Sequence, residues 1–402
     1  MNKISRRTFI GNTSLVAAGT LLVPEFLKAS DHVLVNGNGF KRLVVVQLGG
    51  GNDGLNNIIP YRNDLYYQNR PFIGIQENDL LKTGADFGFH PEMNGFRSLY
   101  DKGYLSIINS VGYPNSNRSH FRSMDIWNSA SGSNEYLDTG WIGRYLDSCC
   151  NKPHLAIEVD DMLSRALKGE KINGMAMKDT RKLIRALRDR ELRKAVLSKS
   201  KLMGNADSDN KAFLYKTMAD TYSSAAYLNE INRSPRVRTE YPKTAFAQQL
   251  SSISNLIAAQ SETKVYYVSM GGFDTHFAQK NRQSKLLKDM STGIEVFVKD
   301  LEKSNELDST MILCFSEFGR RVKQNASGGT DHGSGNVSYL IGSKLSRPGL
   351  FNPLPDLENL DKGDIKYNVD FRRIYATILE DWLSADSNRI LGNRFDKLSL
   401  FS

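Results

Sequence analysis

The stretch KRLVVVQLGGGNDGLN, residues 41–56, carries the first evidence for the fold. Its first half is a short run of β-branched and aliphatic residues that ends at three consecutive glycines, as a buried parallel strand does where it meets a turn. Similar apolar runs follow at residues 104–110, 154–159, 264–270, 309–316 and 337–341. Amphipathic helical segments separate them, among them residues 283–303 and 370–383. This alternation predicts an α/β fold in which helices sandwich a mostly parallel sheet.

The composition is that of a globular protein. The 402 residues include 53 Lys and Arg, 44 Asp and Glu, and 40% apolar residues, which excludes a disordered chain, a collagen-like repeat and a coiled coil. Three cysteines are too few for a disulfide framework, and the adjacent Cys149 and Cys150 are not expected to bridge each other. We expect one domain over residues 31–402, with a helical insertion at about residues 160–260.

Residues 1–30 predict an export signal. Arg6 and Arg7 precede an apolar run at residues 15–23 that is too short to cross a bilayer. The pattern is similar to a bacterial twin-arginine signal, and the alternative is a basic N-terminus before a buried helix. No later segment has the composition of a transmembrane helix. The mature chain is therefore expected in the periplasm, at the cell surface or secreted.

The charge pattern favours an anionic partner. Residues 1–30 hold four basic and one acidic residue, so their removal lowers the formal net charge from +9 to +6. Residues 160–201 contain 13 Lys and Arg against 6 Asp and Glu. They predict either a helix with a solvated basic face or a positive cap that attracts an anionic ester, small or polymeric. Nucleic acid is not an expected partner because basic and aromatic residues do not alternate, and no oligomeric state is predicted.

Chemically reactive residues follow several of the predicted strands. They are Asp53, Ser119, Asp274, His276, Glu317, Arg320, Asp331 and His332. Because ligands bind beyond the carboxyl ends of the strands in such sheets, we expect these side chains to converge. Carboxylate and imidazole groups suit Zn²⁺, with Mn²⁺ or Ca²⁺ as alternatives, and two ions could serve a phosphoryl or sulfuryl transfer. Ser119 at a helix N-terminus could be the nucleophile, and Arg320 or Arg118 could bind the transferred oxyanion.

Each of these residues also has a structural interpretation. Asp53 could be a turn residue, Ser119 a helix N-cap, Asp274 and His276 a hydrogen-bonded pair, and Glu317 with Arg320 a buried ion pair. Asp331 and His332 could both be ligands only if their segment is a loop, which the surrounding glycines favour. The glycines at positions 49, 51 and 54 match a dinucleotide-binding fingerprint, but the segment after them is a poor helix, so nucleotide binding is not expected.

Six motifs carry a family resemblance. They lie at residues 47–56, 118–121, 140–144, 272–276, 316–320 and 329–333. In this order, and together with the export signal, they resemble domain-of-unknown-function family 1501 over about residues 40–400. That family is itself distantly related to the alkaline phosphatase/sulfatase superfamily, and the resemblance implies that superfamily's fold.

The resemblance also implies roles for single residues. Asp53 resembles the first-strand aspartate that contacts an ion, and Ser119 the nucleophile at a helix start, with His120 as an adjacent alternative. Asp274 and His276 resemble an Asp-x-x-x-His metal pair, although one residue separates them instead of three. Glu317 stands where an Asp-His pair is usual, and His332, with Asp331, resembles the final metal histidine. These departures leave open one ion, a different ion or a site that only binds.

The function predicted from these observations is that of an exported, metal-dependent hydrolase of phosphate or sulfate esters, with a serine nucleophile and one or two divalent ions. The alternative is a non-catalytic envelope protein that binds a polysaccharide or a partner chain on the same scaffold.

Overall fold

The computed structural model describes residues 39–178, 210–231 and 239–401. Two predicted features lie outside the described residues. They are the export signal at residues 1–30 and the part of the basic segment at residues 179–201. The chain from Lys41 onward forms one compact unit, Lys41–Ser402.

A twisted central sheet forms the middle layer. In chain order the strands are β1 (Arg42–Leu48), β2 (Ile58–Ile59), β3 (Leu81–Lys82), β4 (Gly88–Phe89), β5 (Leu105–Gly112), β6 (Ala156–Glu158), β7 (Met175–Ala176), β8 (Val265–Met270), β9 (Thr310–Ser316), β10 (Asn336–Ile341), β11 (Gly349–Leu350) and β12 (Val369–Asp370). The large sheet has the order β11-β5-β10-β9-β1-β8-β6-β7, with β12 beside the end of β5, and β2, β4 and β3 form a small separate sheet. Among the strands described in the large sheet, β10 alone runs antiparallel to its neighbours. The predicted mostly parallel sheet is confirmed.

Helices cover both faces of this sheet. They are α1 (Asp64–Asn69), α2 (Asn94–Asp101), α3 (His120–Ser129), α4 (Trp141–Cys149), α5 (Asn210–Ile231), α6 (Ala245–Ala258), α7 (Gln279–Lys303), α8 (Phe371–Thr377) and α9 (Ser387–Leu391). Side chains alternate along β1, so Val44 and Val46 pack against α2, α6 and α7, while Leu43 and Val45 pack toward α3, α4 and α8. Both faces of the sheet are therefore buried, which explains the continuous apolar runs.

One expectation, on the cysteines, is corrected, and the expected helical insertion stays a prediction. The first part of the expected helical insertion, residues 160–178, contains a 3₁₀ turn at Arg165–Leu167 and the edge strand β7, and its helices α5 and α6 come later. Cys149 and Cys150 are joined in a disulfide. Cys149 ends α4 while Cys150 already has extended backbone dihedrals, so the chain direction changes between them and the two sulfurs meet.

No helix among the described residues is both long enough and apolar enough to span a membrane.

Candidate metal centre

The predicted site residues gather at one edge of the large sheet. The loops after β1, β5, β8 and β9 start at this edge, and the loop before the antiparallel β10 returns to it. Parallel strands bring their carboxyl ends together, so segments far apart in the sequence become neighbours. This convergence was predicted from the sequence. The partner of each individual side chain was not.

Asp274 lies at the centre of the cluster. Its Oδ1 is 3.0 Å from Nε2 of His276 and 3.2 Å from Nε2 of His332. Its Oδ2 is 3.6 Å from Nε2 of His120. Ligand atoms of His120, Asp274 and His332 all lie within 4.8 Å of one another, which is the spacing of groups that could share one ion. The Asp274 side chain is 48% exposed, so the cluster is open to solvent.

His120 is oriented by a buried carboxylate. Its Nδ1 lies 2.8 Å from Oε1 of Glu317, which also accepts a 2.8 Å hydrogen bond from the backbone N–H of Gly50. An Nδ1–H donated to Glu317 leaves the lone pair of the neutral ring on Nε2. This Nε2 is buried and has no hydrogen-bond partner among the described residues. A buried, unpartnered nitrogen directed at a carboxylate fits a metal ligand, and the Glu317 bond fits the carboxylate that commonly supports such a ligand.

The other two histidines have the same arrangement. Nδ1 of His332 lies 2.8 Å from the backbone oxygen of Arg118, and Nδ1 of His276 lies 3.3 Å from Oδ1 of Asp331. Each Nδ1–H thus has an acceptor, and each Nε2 faces inward. The two Nε2 atoms are 3.0 Å apart. Two lone pairs at that distance repel unless a proton or a cation lies between them, so the donor set fits a divalent ion.

The charges in the cluster support the same interpretation. Burial acts to raise the pKa of Asp274, but the Arg320 guanidinium and the nearby rings of His332 and His276 outweigh it and lower that pKa to about 2. The hydrogen bond to Glu317 raises the pKa of His120, which makes this ring more basic. Burial lowers the pKa of His332 and favours its neutral form. Asp274 is therefore anionic, and the neutral form of His332 can offer a nitrogen.

Gly50 explains why the glycine run follows β1. Its φ is +118°, and a Cβ placed there would lie 2.4 Å from the backbone nitrogen of Asp274. The bare backbone passes between Asp274 and Glu317 and bonds the latter. The glycines therefore bring the β1 turn into contact with the cluster, and do not form a nucleotide-binding loop.

Arg320 is not placed as an oxyanion clamp. The side chain is buried, and its Nε donates to the backbone oxygen of Gly51 at 2.7 Å. Nη1 donates to the oxygen of Thr330, and Nη2 contacts Asp274 Oδ1 at 2.8 Å as well as backbone oxygens. With every guanidinium nitrogen engaged, Arg320 fixes the β1 turn and orients Asp274. The prediction of a substrate-binding role differs from this geometry.

Asp53 is also separated from the cluster by its partners. Its carboxylate forms a two-point ion pair with Arg70, at 2.6 and 3.0 Å, and accepts a bond from Gln279. Both Asp53 and Arg70 are fully buried. A carboxylate bonded in this way has little capacity left for an ion, contrary to the ligand role expected for Asp53. Arg70 lies in a stretch with no motif, so nothing in the sequence pointed to it.

Ser119 occupies the N-cap position of α3, directly before His120. The residue is exposed, and its side chain makes no capping bond to the helix backbone. The hydroxyl is thus free to face solvent next to a candidate ligand, at a helix terminus whose first N–H groups favour anions. The predicted N-cap position is confirmed, and the capping hydrogen bond is absent.

Comparison with known proteins gives one family and several distant structures. The model of the family described as "Protein of unknown function (DUF1501)" matches residues 79–384. A search of curated proteins returns no match. Among solved structures, the phosphonate monoester hydrolase SpPMH from Silicibacter pomeroyi is 8% identical, with a TM-score of 0.42, covering 88% of this chain and 77% of that one.

Two further structures are similar to the same degree. The C-terminal periplasmic domain of EcEptC from Escherichia coli is 11% identical, with a TM-score of 0.39 and coverage of 89% of this chain and 87% of that one. The PsFucS1 sulfatase from Pseudoalteromonas sp. is 11% identical, with a TM-score of 0.36 and coverage of 92% and 70%. At these values the likeness concerns the overall fold alone.

Proposed function

The chain belongs to the DUF1501 family of proteins of unknown function, and from this premise we propose that it is a metal-dependent hydrolase of phosphate or sulfate esters. One observation carries the proposal: three imidazole Nε2 atoms surround the Asp274 carboxylate, and each Nδ1 on the opposite side of its ring has an acceptor. Three ring nitrogens and a carboxylate gathered at one solvent-open point, with each ring held from its far side, have the chemistry of a metal site.

The proposed ligands are His120, His276, His332 and Asp274. Three nitrogens and one carboxylate oxygen suit Zn²⁺, or Mn²⁺ as the alternative, better than Ca²⁺, which prefers oxygen ligands. Glu317 and Asp331, expected from the sequence to be ligands, act in this proposal as the acceptors that orient His120 and His276.

We propose a single ion per chain. The Asp53 carboxylate, which a second ion would need, is neutralised by Arg70 in a buried pair. Moving that carboxylate to an ion would leave a buried guanidinium without its partner, at a cost of roughly 3–5 kcal/mol.

In the proposed reaction the bound ion supplies Lewis acidity toward an ester oxygen. The Ser119 hydroxyl loses its proton to solvent as Oγ forms a bond to the phosphorus or sulfur atom. The bond to the leaving-group oxygen breaks, and that oxygen takes a proton from solvent. Water then releases the phosphoryl or sulfuryl group from Ser119 and restores the hydroxyl. The exposed position of Ser119 at the start of α3, beside His120, supports this role.

We further propose that this chemistry takes place outside the cytoplasm. The twin arginines Arg6 and Arg7 before the short apolar run support export in a folded state, which allows a metal to be bound before transport. Cell fractionation of an Arg6→Lys/Arg7→Lys variant tests this, since the variant is expected to remain in the cytoplasm.

The hydrolase proposal is tested by elemental mass spectrometry of the folded protein together with turnover of p-nitrophenyl phosphate and p-nitrophenyl sulfate. We expect one equivalent of zinc or manganese, lost in Asp274→Ala/His332→Ala. Ser119→Ala should keep the metal but lose about 10³-fold or more in turnover, whereas Ser252→Ala on α6 should change neither. Absence of metal after repletion would overturn the proposal. Metal without turnover of either ester would favour the non-catalytic binding protein.

A further inference from the structure

Two arginines converge on one buried carboxylate beside the candidate metal centre. Asp364 has a side chain that is 1% exposed, and it accepts from Nη2 of Arg118 through Oδ2 and from Nε of Arg321 through Oδ1 at 3.2 Å. The arginine side chains are 44% and 37% exposed. We call Arg118 and Arg321 the arginine pair, and Asp364 its anchor.

The arginine pair is attached to the loops of the candidate metal centre through its backbone. The backbone oxygen of Arg118 accepts from Nδ1 of His332 at 2.8 Å, and the backbone N–H of Arg321 donates to the oxygen of Asp331 at 3.0 Å. The backbones that carry the two guanidinium groups are therefore bonded directly to the loop of the proposed ligand His332.

The arginine pair nevertheless lies outside the ligand set. Arg320 forms an isolated antiparallel bridge with His332, so this segment is extended and successive side chains point to opposite sides. Arg320 points to Asp274, and Arg321 points to Asp364. The pair thus forms a second location adjacent to the candidate metal centre.

The charge and the donors of the pair remain partly unused. Asp364 neutralises one of the two arginines that bind it. No described residue accepts a hydrogen bond from Nε or Nη1 of Arg118, or from Nη1 of Arg321. Half-exposed guanidinium groups with free N–H donors, held in place by a buried carboxylate, have the chemistry that binds a phosphate or sulfate group.

We propose that Arg118 and Arg321 form a second anion subsite, and that the substrate carries at least two phosphate or sulfate groups, one ester at the candidate metal centre and a neighbouring anion on the arginine pair. This inference rests on the proposed function for its catalytic half. Asp364 is a positioning residue, since it acts through the two arginines.

The test compares Arg118→Ala/Arg321→Ala with Lys102→Ala/Lys344→Ala. The lysines are matched controls because each pairs with one carboxylate, and their side chains are 40% (Lys102) and 46% (Lys344) exposed. Lys102 lies just before β5 and Lys344 just after β10, both at the end of the sheet opposite to the candidate metal centre. Alanine at position 118 keeps the backbone oxygen that His332 needs. Binding of fluorescent polyphosphate and of fluorescent dextran sulfate is measured by anisotropy, and turnover of p-nitrophenyl esters is measured alongside.

We expect the arginine variant to bind the preferred polyanion about 10- to 100-fold more weakly, with a reduced salt dependence, while turnover of the small monoester falls by a clearly smaller factor. Asp364→Asn, which keeps the shape of the side chain, should give an intermediate loss. Of polyphosphate and dextran sulfate, the polyanion whose binding weakens more in the arginine variant shows whether the pair prefers phosphate or sulfate.

Three results would overturn the subsite. They are equal loss of polyanion binding in the lysine control, unchanged binding in the arginine variant, and an equal fall in small-ester turnover and polyanion binding. If the wild type hydrolyses no ester, the proposed function fails, and the anisotropy comparison still decides whether the subsite exists.

Discussion

Substitution of Glu317 separates a metal ligand from a residue that orients one. Glu317 is buried, accepts from Nδ1 of His120 and from the N–H of Gly50, both at 2.8 Å, and contacts Ser316 through its other oxygen. Glu317→Gln keeps an oxygen for the first two bonds and can donate to the Ser316 hydroxyl, so it removes the charge alone. Glu317→Ala removes the charge and the orientation of His120.

The size of the expected effect follows from this role. Loss of a carboxylate that supports a metal-bound histidine typically costs about 10- to 100-fold in metal affinity, or roughly 1.4–2.7 kcal/mol. We expect Glu317→Gln near the lower end, because the orientation of His120 is kept, and Glu317→Ala near the upper end. His120→Ala, which removes a proposed ligand itself, should cost more than either variant.

The assay is competition for Zn²⁺ with a chromophoric chelator, accompanied by circular dichroism to establish folding. Glu306→Gln is the matched control, since Glu306 is also buried and bonded, to Arg42 at 2.6 Å, but lies near the start of β1 at the far edge of the sheet. It should leave the affinity unchanged. Folded Glu317→Ala with wild-type affinity would refute the orienting role, and a loss as large as that of His120→Ala would make Glu317 a direct ligand.

Three other outcomes are expected. Gly50→Ala should lower the free energy of urea unfolding by more than the roughly 1–2 kcal/mol that a positive φ costs, because the added Cβ would lie 2.4 Å from backbone. It should also weaken Zn²⁺ binding at least tenfold. Gly84→Ala, at φ +83° with open space around it, should show the cost of the positive φ alone. Burial raises the pKa of Glu158 to about 7, so the folded state binds this proton more tightly than the unfolded state. The free energy of unfolding should therefore fall by up to about 3 kcal/mol from pH 4.5 to 7. Glu158→Gln should make this fall smaller. Arg70→Met should cost about 3–5 kcal/mol in the same assay by leaving Asp53 unpaired, and Asp53→Asn/Arg70→Met should restore part of that stability. A second equivalent of metal in the wild type, lost in Asp53→Asn, would contradict the single-ion account.

The sheet, and the end of it at which the candidate site residues lie, could be predicted because the strands show local sequence patterns. The run at residues 42–48 is buried at every position, and apolar at all but two, because both faces of its strand are covered. Once the strands are parallel, the residues that follow them must meet, so the sequence was sufficient to bring Asp274, His276 and His332 together.

The partner of each side chain depends on contacts between distant segments. Glu317 was expected at the ion but holds His120, from which it is 197 positions away, and Arg320 was expected at the substrate but bonds the β1 turn. The sequence predicts Asp53 as a ligand because nothing in it marks Arg70 as the partner of Asp53. Burial makes such pairings strong, since each charge must find an opposite group, but sequence spacing does not reveal which group is reached.

The most direct measurement is an anomalous diffraction experiment at the zinc edge on crystals of the zinc-loaded protein. The account predicts one anomalous peak per chain, with Nε2 of His120, His276 and His332 at about 2.0–2.1 Å and one oxygen of Asp274 at about 2.0–2.2 Å. Glu317 should remain on Nδ1 of His120, outside the ligand distance. Absence of a peak, or a peak bound by Asp53, would contradict it.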